Sequence, residues 1–163
     1  VGEKPYLLAD CALNQEPTAE QLAEIALSCA QVAESLQIEP RVALLSYSNF
    51  GSARGVEARK VIQAVEICRS RRPDLALDGE MHADTAVVEE LLRERHPFNR
   101  LGRPANCLVF PNLAAANIGY KLLHRLGGAE MIGPILSGLS KAVHVVQRDA
   151  EVGDIVNLSL IHI

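Results

Sequence analysis

Residues Val109–Lys121 read VFPNLAAANIGYK and lie where an apolar run gives way to a helical pattern. Asn112 is suited to cap that helix, because its side-chain oxygen can accept a hydrogen bond from a free amide of the first turn. A helix that begins at the carboxyl end of a strand directs backbone donors and a positive dipole towards an anionic ligand. The small residues Ala114–Ala116 leave room for a ligand close to the backbone, and Asn117 adds an amide. An ordinary strand-to-helix turn fits the same residues, and the spacing alone favours that interpretation.

Patterns typical of strands and helices alternate along the rest of the chain. Thr18 and Gln21 form a capping box before apolar residues spaced by three and four, which predicts a helix buried through Leu22, Ile25, Ala26, Cys29, Val32, Ala33 and Leu36. The unbroken apolar run Val42–Leu45 predicts a strand covered on both faces. Further strands are predicted in residues 1–13, 75–81, 107–110, 131–136 and 143–146, and further helices after Gly55, across Val88–Leu92, up to Arg125 and from Asp149 onward. This alternation predicts an α/β fold with a largely parallel sheet.

Composition narrows the class of protein. The 163 residues suit one compact domain or a large piece of a bigger one, and 48% hydrophobic residues with only 4% aromatic ones predict an aliphatic core. The net charge of -4 does not indicate the basic surface that nucleic acid binding requires. The sequence shows neither an apolar run long enough to span a membrane nor a leader peptide. The four cysteines lack metal-binding spacing, so they fit reduced core residues of a cytoplasmic protein better than a disulfide.

The loop Ser46–Gly55 is rich in hydroxyls, Asn and Gly, and it leads from the strand at Val42–Leu45 into a helix. Its backbone amides, including that of Gly51, could cradle a phosphate together with the hydroxyls of Ser48 and Ser52. The loop lacks the Gly-Lys-Ser/Thr of a nucleotide-binding P-loop, so ATP hydrolysis is not expected. A capped turn is an equally good interpretation of the same residues.

Asp78, Glu80 and His82 alternate along the predicted strand at 75–81, which would place them on one face. A metal site there is conceivable, but carboxylates bonded to neighbouring loop amides explain the pattern better, and no metal site is predicted. Asp84 belongs to the same polar cluster, just before a helical pattern. Loops at strand exits gather along one edge of a parallel sheet, so these polar segments are expected to share a cleft.

Charged residues near two helix ends have simpler interpretations. Arg69, Arg71 and Arg72 close the second helix, where cations suit the helix dipole, and they are predicted to form a solvated end. Arg148 and Asp154 flank the start of the last helix. An arginine could neutralise a phosphate and a carboxylate could act as a base, but the pattern alone favours a surface ion pair.

Five segments, in collinear order, carry a family resemblance: ADCALNQEPTAEQLAEIA from Ala9, RVALLSYSNFGS from Arg41, LALDGEMHAD from Leu75, FPNLAAANIGYKLLHRLGGAEMIGPILSGLSKAVHVVQR from Phe110, and DIVN from Asp154. Together they resemble the phosphate acetyl/butyryltransferase domain over almost the whole chain. The resemblance implies a three-layer α/β/α fold of the isocitrate/isopropylmalate dehydrogenase type, as in phosphotransacetylases.

Two branches of that family can be compared with this sequence. Active phosphate acetyltransferases usually show a Ser-Thr-x-Gly-Ser-Gly type loop, an Asp-Gly-Pro-Leu-Gln-Tyr-Asp type strand exit, and Phe-Pro-Asp. The matching segments here are Ser48–Ser52, Asp78–Asp84 and Phe110–Asn112. These variants are similar to the C-terminal domain of the two-part NADP-dependent malic enzymes, where the transferase-like domain is held to bind acetyl-CoA as a regulator.

The resemblance also implies roles for residues near the C-terminus. Active members carry a Ser-Arg pair and an Asp that are implicated in activating the CoA thiol and stabilising the transition state. Arg148 and Asp154 match the Arg and the Asp, whereas Gln147 replaces the Ser and Asn112 replaces the Asp of Phe-Pro-Asp. Arg148 and Asp154 thereby become expected cleft residues, catalytic only if the domain is active. Whether the domain is itself an enzyme stays open.

The resemblance implies a regulatory acetyl-CoA-binding domain of a malic enzyme that decarboxylates malate to pyruvate. The alternative is a phosphate acetyltransferase that exchanges acetyl between CoA and phosphate. The expected ligand contacts are Ser48, Gly51, Ser52, Asp84, Asn112, Asn117 and Arg148. NADP and a divalent metal are expected only in the malic-enzyme domains, which are also an expected partner, and self-association is expected through the transferase-like domain.

The resemblance further implies that this chain lacks the earlier half of the family domain. Residues 1–157 are expected to form the C-terminal portion of that domain. The final hexapeptide, LSLIHI at 158–163, replaces the usual apolar helix and is what a common sequencing-library adapter would encode. Residues 158–163 are therefore expected to be a non-native tail, which a genomic sequence encoding LSLIHI after Asn157 would contradict.

Overall fold

The computed structural model describes residues 4–139, 141, 143, 145–146, 150 and 152–160. In chain order the elements are β1 (Leu7–Ala9), α1 (Ala19–Ser35), β2 (Arg41–Leu45), α2 (Val56–Arg71), β3 (Ala76–Met81), α3 (Ala83–Val87), α4 (Glu89–Arg95), β4 (Cys107–Val109), α5 (Leu113–Arg125) and α6 (Val152–Leu160). The predicted alternation of strands and helices is confirmed from β1 to α5.

The strands of the described residues form one parallel sheet with the order β1-β4-β2-β3. β2 lies between β3 and β4, and β4 also pairs with β1. Because every pair is parallel, the carboxyl ends of the strands lie along one edge of the sheet. The predicted α/β class is confirmed, and the loops that follow the strands lie side by side.

Apolar side chains cover both faces of this sheet. Val42 and Leu44 pack with α1 and α2 on one face. The alternate residues Ala43 and Leu45 pack on the other face with Leu92 of α4 and with neighbouring residues of α3. The sheet therefore lies between two helical layers. Both clusters are dominated by aliphatic side chains, as the composition predicts.

α1 begins and packs as predicted. The amide of Gln21 donates to Thr18 Oγ1 at 3.3 Å, and the amide of Thr18 donates to Gln21 Oε1 at 2.9 Å. This reciprocal pair satisfies two helix-terminal donors, and such caps typically contribute about 1 kcal/mol. Of the predicted apolar stripe, Leu22, Ala26, Cys29 and Ala33 are buried, whereas Ile25, Val32 and Leu36 are half-buried.

Three predicted elements differ in the structure. The helix expected across Val88–Leu92 is two helices, because Val88 is extended (φ -100°, ψ 114°) between α3 and α4. Residues 131–136 form no strand apart from one bridge residue at Ile135, since Gly133 has φ +151° and Pro134 cannot donate to a ladder. Of the predicted strand at 143–146, residues 143, 145 and 146 are described, and they form no strand.

The closing helix that the sequence predicts is α6, although its expected start at Asp149 lies outside the described residues. α6 continues past Asn157 to Leu160, and the Leu158 side chain is buried. Within the described part of the chain, no helix has the length and apolar character needed to cross a bilayer.

Candidate functional site

Four loops lie at the carboxyl edge of the sheet, after β1, β2, β3 and β4. The Ser46–Gly55 loop follows β2, and its strand lies between the two strands that lead into α3 and α5. The edge therefore collects most of the predicted ligand residues, namely Ser48, Gly51, Ser52, Asp84 and Asn112. Asn117 lies further along, in the second turn of α5.

The Ser46–Gly55 loop is held together by its own hydrogen bonds. Every backbone amide from Ser48 to Ala53 donates to an acceptor within the protein. The Ser48 hydroxyl, which is fully buried, accepts the Ala53 amide at 3.0 Å, and the Ser52 hydroxyl accepts the Asn49 amide at 2.8 Å. The loop therefore has the bonding of a capped turn, and a phosphate could engage these amides only by replacing internal bonds.

Glu80 supplies the acceptor at the centre of this loop. Its side chain is 2% exposed, and Oε1 accepts the Ser48 hydroxyl and the Gly51 amide, each at 2.7 Å. The backbone carbonyl of Glu80 also accepts the Phe50 amide at 2.8 Å. Such charge-assisted bonds are what a buried carboxylate requires. They match the preferred interpretation of a carboxylate bonded to loop amides, and within the described residues no group of three or more His, Cys, Asp or Glu side chains could hold a metal ion.

The prediction that Asp78, Glu80 and His82 share one face is wrong. The register between β2 and β3 shifts between Leu44 and Leu45. As a result Leu77 and Met81, which strict alternation would put on the same face, pack in the clusters on opposite faces. The shift lies beside Gly79, whose φ of +152° is a conformation that residues with a side chain rarely adopt.

Asn49 links the same loop to the start of α3. Its Oδ1 accepts the His82 amide at 3.2 Å, and its Nδ2 donates to Thr85 Oγ1 at 3.0 Å. The His82 ring lies 2.8 Å from the carbonyl of Tyr47, at the start of the loop. The segments that follow β2 and β3 are thus joined by the side chains of Asn49 and His82 as well as by Glu80.

The remaining predicted ligand residues lie closer to solvent. Asn112 is the N-cap of α5, as predicted, and its Oδ1 accepts the Ala115 amide at 2.9 Å. The carboxylate of Asp84 is exposed and accepts the Thr85 amide at 2.8 Å. Ser52 is exposed at the tip of the loop, and Asn117 is half-buried on α5.

The end of α2 is only partly the solvated end that the sequence predicts. Arg71 and Arg72 do form exposed ion pairs. Arg69, in contrast, bonds to the carboxylate of Asp78, whose side chain is 4% exposed. Asp78 also accepts the amides of Gly79 at 2.9 Å and Arg100 at 2.6 Å. The prediction is wrong for Arg69, because β3 brings a buried carboxylate to that turn of the helix.

Asp10, at the exit of β1, organises a turn of its own. Its carboxylate accepts the amides of Ala12 and Asn14 at 2.8 Å and that of Leu13 at 3.1 Å, and the Asn14 side chain adds a bond at 2.6 Å. Partial burial raises the pKa of Asp10, but these bonds to the charged form outweigh burial and the net shift is downward. The ionised carboxylate therefore stabilises the turn.

Asp10→Asn is expected to lower the melting temperature at neutral pH, and the difference from wild type should shrink in acid. A carboxyl whose pKa is lowered by folding stabilises the fold above its unfolded pKa, near 3.8, and loses that contribution as the pH falls through the folded pKa. Thermal unfolding of both proteins at pH 7, 5, 4 and 3 measures the difference. A difference that keeps its size down to pH 3 would contradict the assignment.

The cysteines are free thiols, and three of them, Cys29, Cys68 and Cys107, are buried. Cys11 is half-buried beside Asp10, and burial together with the nearby carboxylate raises its pKa to about 12. A thiol with that pKa is protonated at neutral pH, so Cys11 is not an activated nucleophile at this edge. The interpretation of the cysteines as unpaired residues is consistent with these positions.

The residues that the family resemblance assigns to catalysis are not part of this geometry. Gln147 and Arg148 lie outside the described residues. Asp154 belongs to α6, and only its backbone is described. Their roles stay predictions.

Two carboxylates organise the edge; sequence reasoning missed Asp10, and for Glu80 it did not identify the partners. Asp10 was not singled out, although an Asp followed four residues later by Asn at a strand exit is a signal for a side-chain-capped turn. Glu80 was considered only as one of three alternating polar residues. The informative signal was a carboxylate within an otherwise apolar strand, since a buried charge needs several donors close by.

A parallel sheet with helices on both faces and polar, hydrogen-bonded loops at its carboxyl edge defines a layered α/β domain. Residues 1–163 match the family described as "Phosphate acetyl/butaryl transferase". The chain is 46% identical over 160 residues to the phosphate acetyltransferase of Bacillus subtilis, covering 98% of this chain and 50% of that protein. It is 48% identical over 153 residues to the NADP-dependent malic enzyme of Salmonella typhimurium, covering 93% of this chain and 20% of that protein.

The chain is also similar to a solved phosphotransacetylase structure. The EutD phosphotransacetylase from Staphylococcus aureus matches with a TM-score of 0.94 and 38% identity, over 99% of this chain and 50% of that chain. The protein belongs to the phosphate acetyl/butyryl transferase family, and the predicted resemblance is confirmed. The chain spans about half the length of the phosphate acetyltransferases of Bacillus subtilis and Clostridium acetobutylicum, covering 50% and 48% of them.

Proposed function

We propose that this chain belongs to a regulatory, acetyl-CoA-binding domain of an NADP-dependent malic enzyme, which as a whole would decarboxylate malate oxidatively to pyruvate. The observation that carries the proposal is the neutral Asn112 at the carboxyl edge, capping α5 with its amide oxygen. An amide caps a helix as well as a carboxylate does, but it cannot take up a proton at neutral pH. Such an edge can bind an anionic ligand without turning it over.

The similarity to malic enzymes supports the same proposal. The chain is 48% identical to the NADP-dependent malic enzymes of Salmonella typhimurium and Escherichia coli, over 93% of its own length in each case. In the proposed complex, the phosphates of acetyl-CoA lie near Ser52 and the N-terminus of α5. Ser52 Oγ accepts a bond from the loop and keeps its hydrogen for an outward acceptor. Gly51 and Ser48 would hold the loop in position beneath the ligand, since both donate to the Glu80 carboxylate.

A catalytic phosphate acetyltransferase is the second candidate. Its support is the 46% identity to the phosphate acetyltransferases of Bacillus subtilis and Clostridium acetobutylicum, over 98% and 96% of the chain. In that case Asp154 would assist deprotonation of the CoA thiol, and Arg148 would stabilise the negative charge that develops in the transition state. The resulting thiolate would attack the carbonyl carbon of acetyl phosphate, and phosphate would leave. In the reverse direction phosphate would attack the thioester of acetyl-CoA, and the departing thiolate would take its proton back from Asp154.

The proposal extends to boundaries and assembly. Residues 1–157 would form the C-terminal portion of the transferase-like domain, with 158–163 outside the native sequence. Exposed apolar side chains on α5 and α6, including Ile118, Leu122 and Val152, support self-association or contact with the rest of the full-length protein. We propose that they contribute to a homo-oligomer, which light scattering on the full-length protein tests and a monomer would overturn.

The full-length protein is expected to bind acetyl-CoA in calorimetry and to release no CoA when phosphate is added. The double variant Asn112→Asp, Gln147→Ser restores the residues that active family members carry. It should gain measurable phosphate-dependent CoA release if those two positions are the reason for inactivity. Each single variant, assayed beside it, controls for an effect of one residue alone.

Turnover by the wild-type protein that Arg148→Ala abolishes would overturn the regulatory proposal in favour of the transferase. Absence of both binding and turnover would overturn both. An unchanged, inactive double variant that still binds acetyl-CoA would keep the regulatory proposal, but it would remove Asn112 and Gln147 as the explanation.

A further inference from the structure

We propose that Glu80 is the positioning residue of the acetyl-CoA site: its buried carboxylate acts as an internal anion that fixes the Ser46–Gly55 loop before the ligand arrives. This inference rests on the proposed function for its ligand but on the structure alone for its geometry. The residue is 2% exposed, so it acts on the ligand through the loop and not by contact.

The carboxylate occupies the inside of the loop as a bound anion would. Oε1 accepts one hydroxyl and one backbone amide, from Ser48 and Gly51, each at 2.7 Å. Backbone amides in glycine-containing loops commonly bind phosphates in this way. The chain therefore supplies from β3 the negative charge that would otherwise have to come from the ligand.

The bonds to Glu80 determine which groups of the loop face outward. Ser48 is fully buried, and its hydroxyl, which donates to Glu80, also accepts the Ala53 amide at 3.0 Å. Ser48 therefore connects Glu80 to the last part of the loop. Phe50, next to Gly51, has a φ of +49°, an uncommon conformation for a residue with a side chain. The Phe50 amide donates to the Glu80 carbonyl at 2.8 Å, which holds that residue in place. Ser52 is left at the exposed tip.

A preformed loop binds its ligand more tightly than a mobile one, because the entropy of ordering is lost during folding and not during binding. Removal of the carboxylate should therefore weaken acetyl-CoA binding without removing any group that touches acetyl-CoA. It should also expose the amide of Gly51 to solvent exchange. A residue with only a structural role would lower the melting temperature but leave the dissociation constant of the folded protein unchanged.

The test compares Glu80→Ala and Glu80→Gln in the full-length protein, with Glu89→Gln as control. Glu89 lies in the β3–β4 connection, but it is exposed, and among the residues that the structure describes its ion-pair partner is Arg93 on the surface of α4. Hydrogen exchange of the peptide that covers residues 46–55 reports loop order, and calorimetry with acetyl-CoA reports the dissociation constant. Both are measured well below the melting temperature of each variant.

Glu80→Ala is expected to lose protection across residues 46–55 and to raise the dissociation constant at least tenfold. Glu80→Gln keeps an oxygen acceptor but loses the charge, and its effects should be intermediate because hydrogen bonds to charged groups are stronger than neutral ones. Glu89→Gln should match wild type in both measurements. Unchanged protection in Glu80→Ala, or lost protection with an unchanged dissociation constant, would overturn the inference.

Two further results keep the inference separate from folding and from the proposed function. If Glu80→Ala does not fold, Glu80→Gln and Ser48→Ala form a double-mutant cycle. Additive effects of those two changes on loop protection would overturn the direct coupling through Oε1. If wild-type protein binds no acetyl-CoA, the proposed function fails, and the exchange of residues 46–55 alone then decides whether Glu80 orders the loop.

Discussion

Arg69→Ala is expected to lower the free energy of unfolding by about 3 kcal/mol. This value is at the lower end for breaking a buried ion pair, because the Arg69 side chain is itself 34% exposed and only its carboxylate partner is buried. The substitution would leave the buried carboxylate of Asp78 without its cationic partner. The amides of Gly79 and Arg100 would still donate to that carboxylate. In addition, Arg69 Nε is buried without a partner among the residues that the structure describes, and its removal relieves a desolvation cost. Both effects keep the loss below the upper part of the range.

Arg71→Ala is the matched control, because Arg71 lies in the same last turn of α2 and also pairs with a carboxylate. Its partner Glu24 is exposed, so the expected loss is less than about 1 kcal/mol. Hydrogen exchange of amides in α1 and β2, followed across a urea series on the full-length protein, reports the unfolding of this domain. Equal losses for the two variants would contradict the pairing of Arg69 with a buried carboxylate.

The elements that the sequence predicted well are those encoded by neighbouring residues. The capping box of Thr18 and Gln21 and the N-cap at Asn112 each join a side chain to an amide three residues away, and both are present. The apolar run of β2 likewise needs only its own residues to predict a strand buried on both faces. The fold class follows from the order of such local patterns.

What could not be predicted depends on residues far apart in the chain. Gly51 lies 29 residues from Glu80, and no local pattern indicates that its amide donates to that carboxylate. Likewise, no local pattern indicates that the backbone amide of Arg100, 22 residues away, donates to the carboxylate of Asp78. These contacts depend on the register of β2 against β3, and that register shifts at Leu44. An alternation rule cannot place polar side chains beyond such a shift.

Stability and binding are connected through β3. Asp78 and Glu80 flank Gly79, and the first carboxylate holds α2 and the loop before β4 while the second holds the Ser46–Gly55 loop. Both carboxylates are buried, so a shift of the backbone between them would move both away from their hydrogen-bond donors. Gly79 is therefore the position in β3 at which a small change should have the largest effect.

Gly79→Ala is expected to lower the free energy of unfolding by about 4 kcal/mol, as the sum of two costs. The φ of +152° is disfavoured for any residue with a side chain, which costs about 1–3 kcal/mol. An added Cβ would lie 2.7 Å from the backbone oxygen of Leu44 and 3.3 Å from Val65 Cγ2, so β2 or α2 would have to move. Overpacking of that kind costs a further 1–3 kcal/mol or so.

Gly102→Ala separates these two costs. Gly102 also has a positive φ, +68°, but a Cβ there would meet nothing within 4 Å, so the expected loss is about 1–2 kcal/mol. The urea series used for Arg69→Ala measures both variants. Gly79→Ala should also reduce the exchange protection of residues 46–55 more than Gly102→Ala does, since movement of β3 displaces the Glu80 carboxylate from Ser48 and Gly51. Similar losses of stability and similar loop protection in the two variants would show that the close approach to Leu44 does not constrain the site.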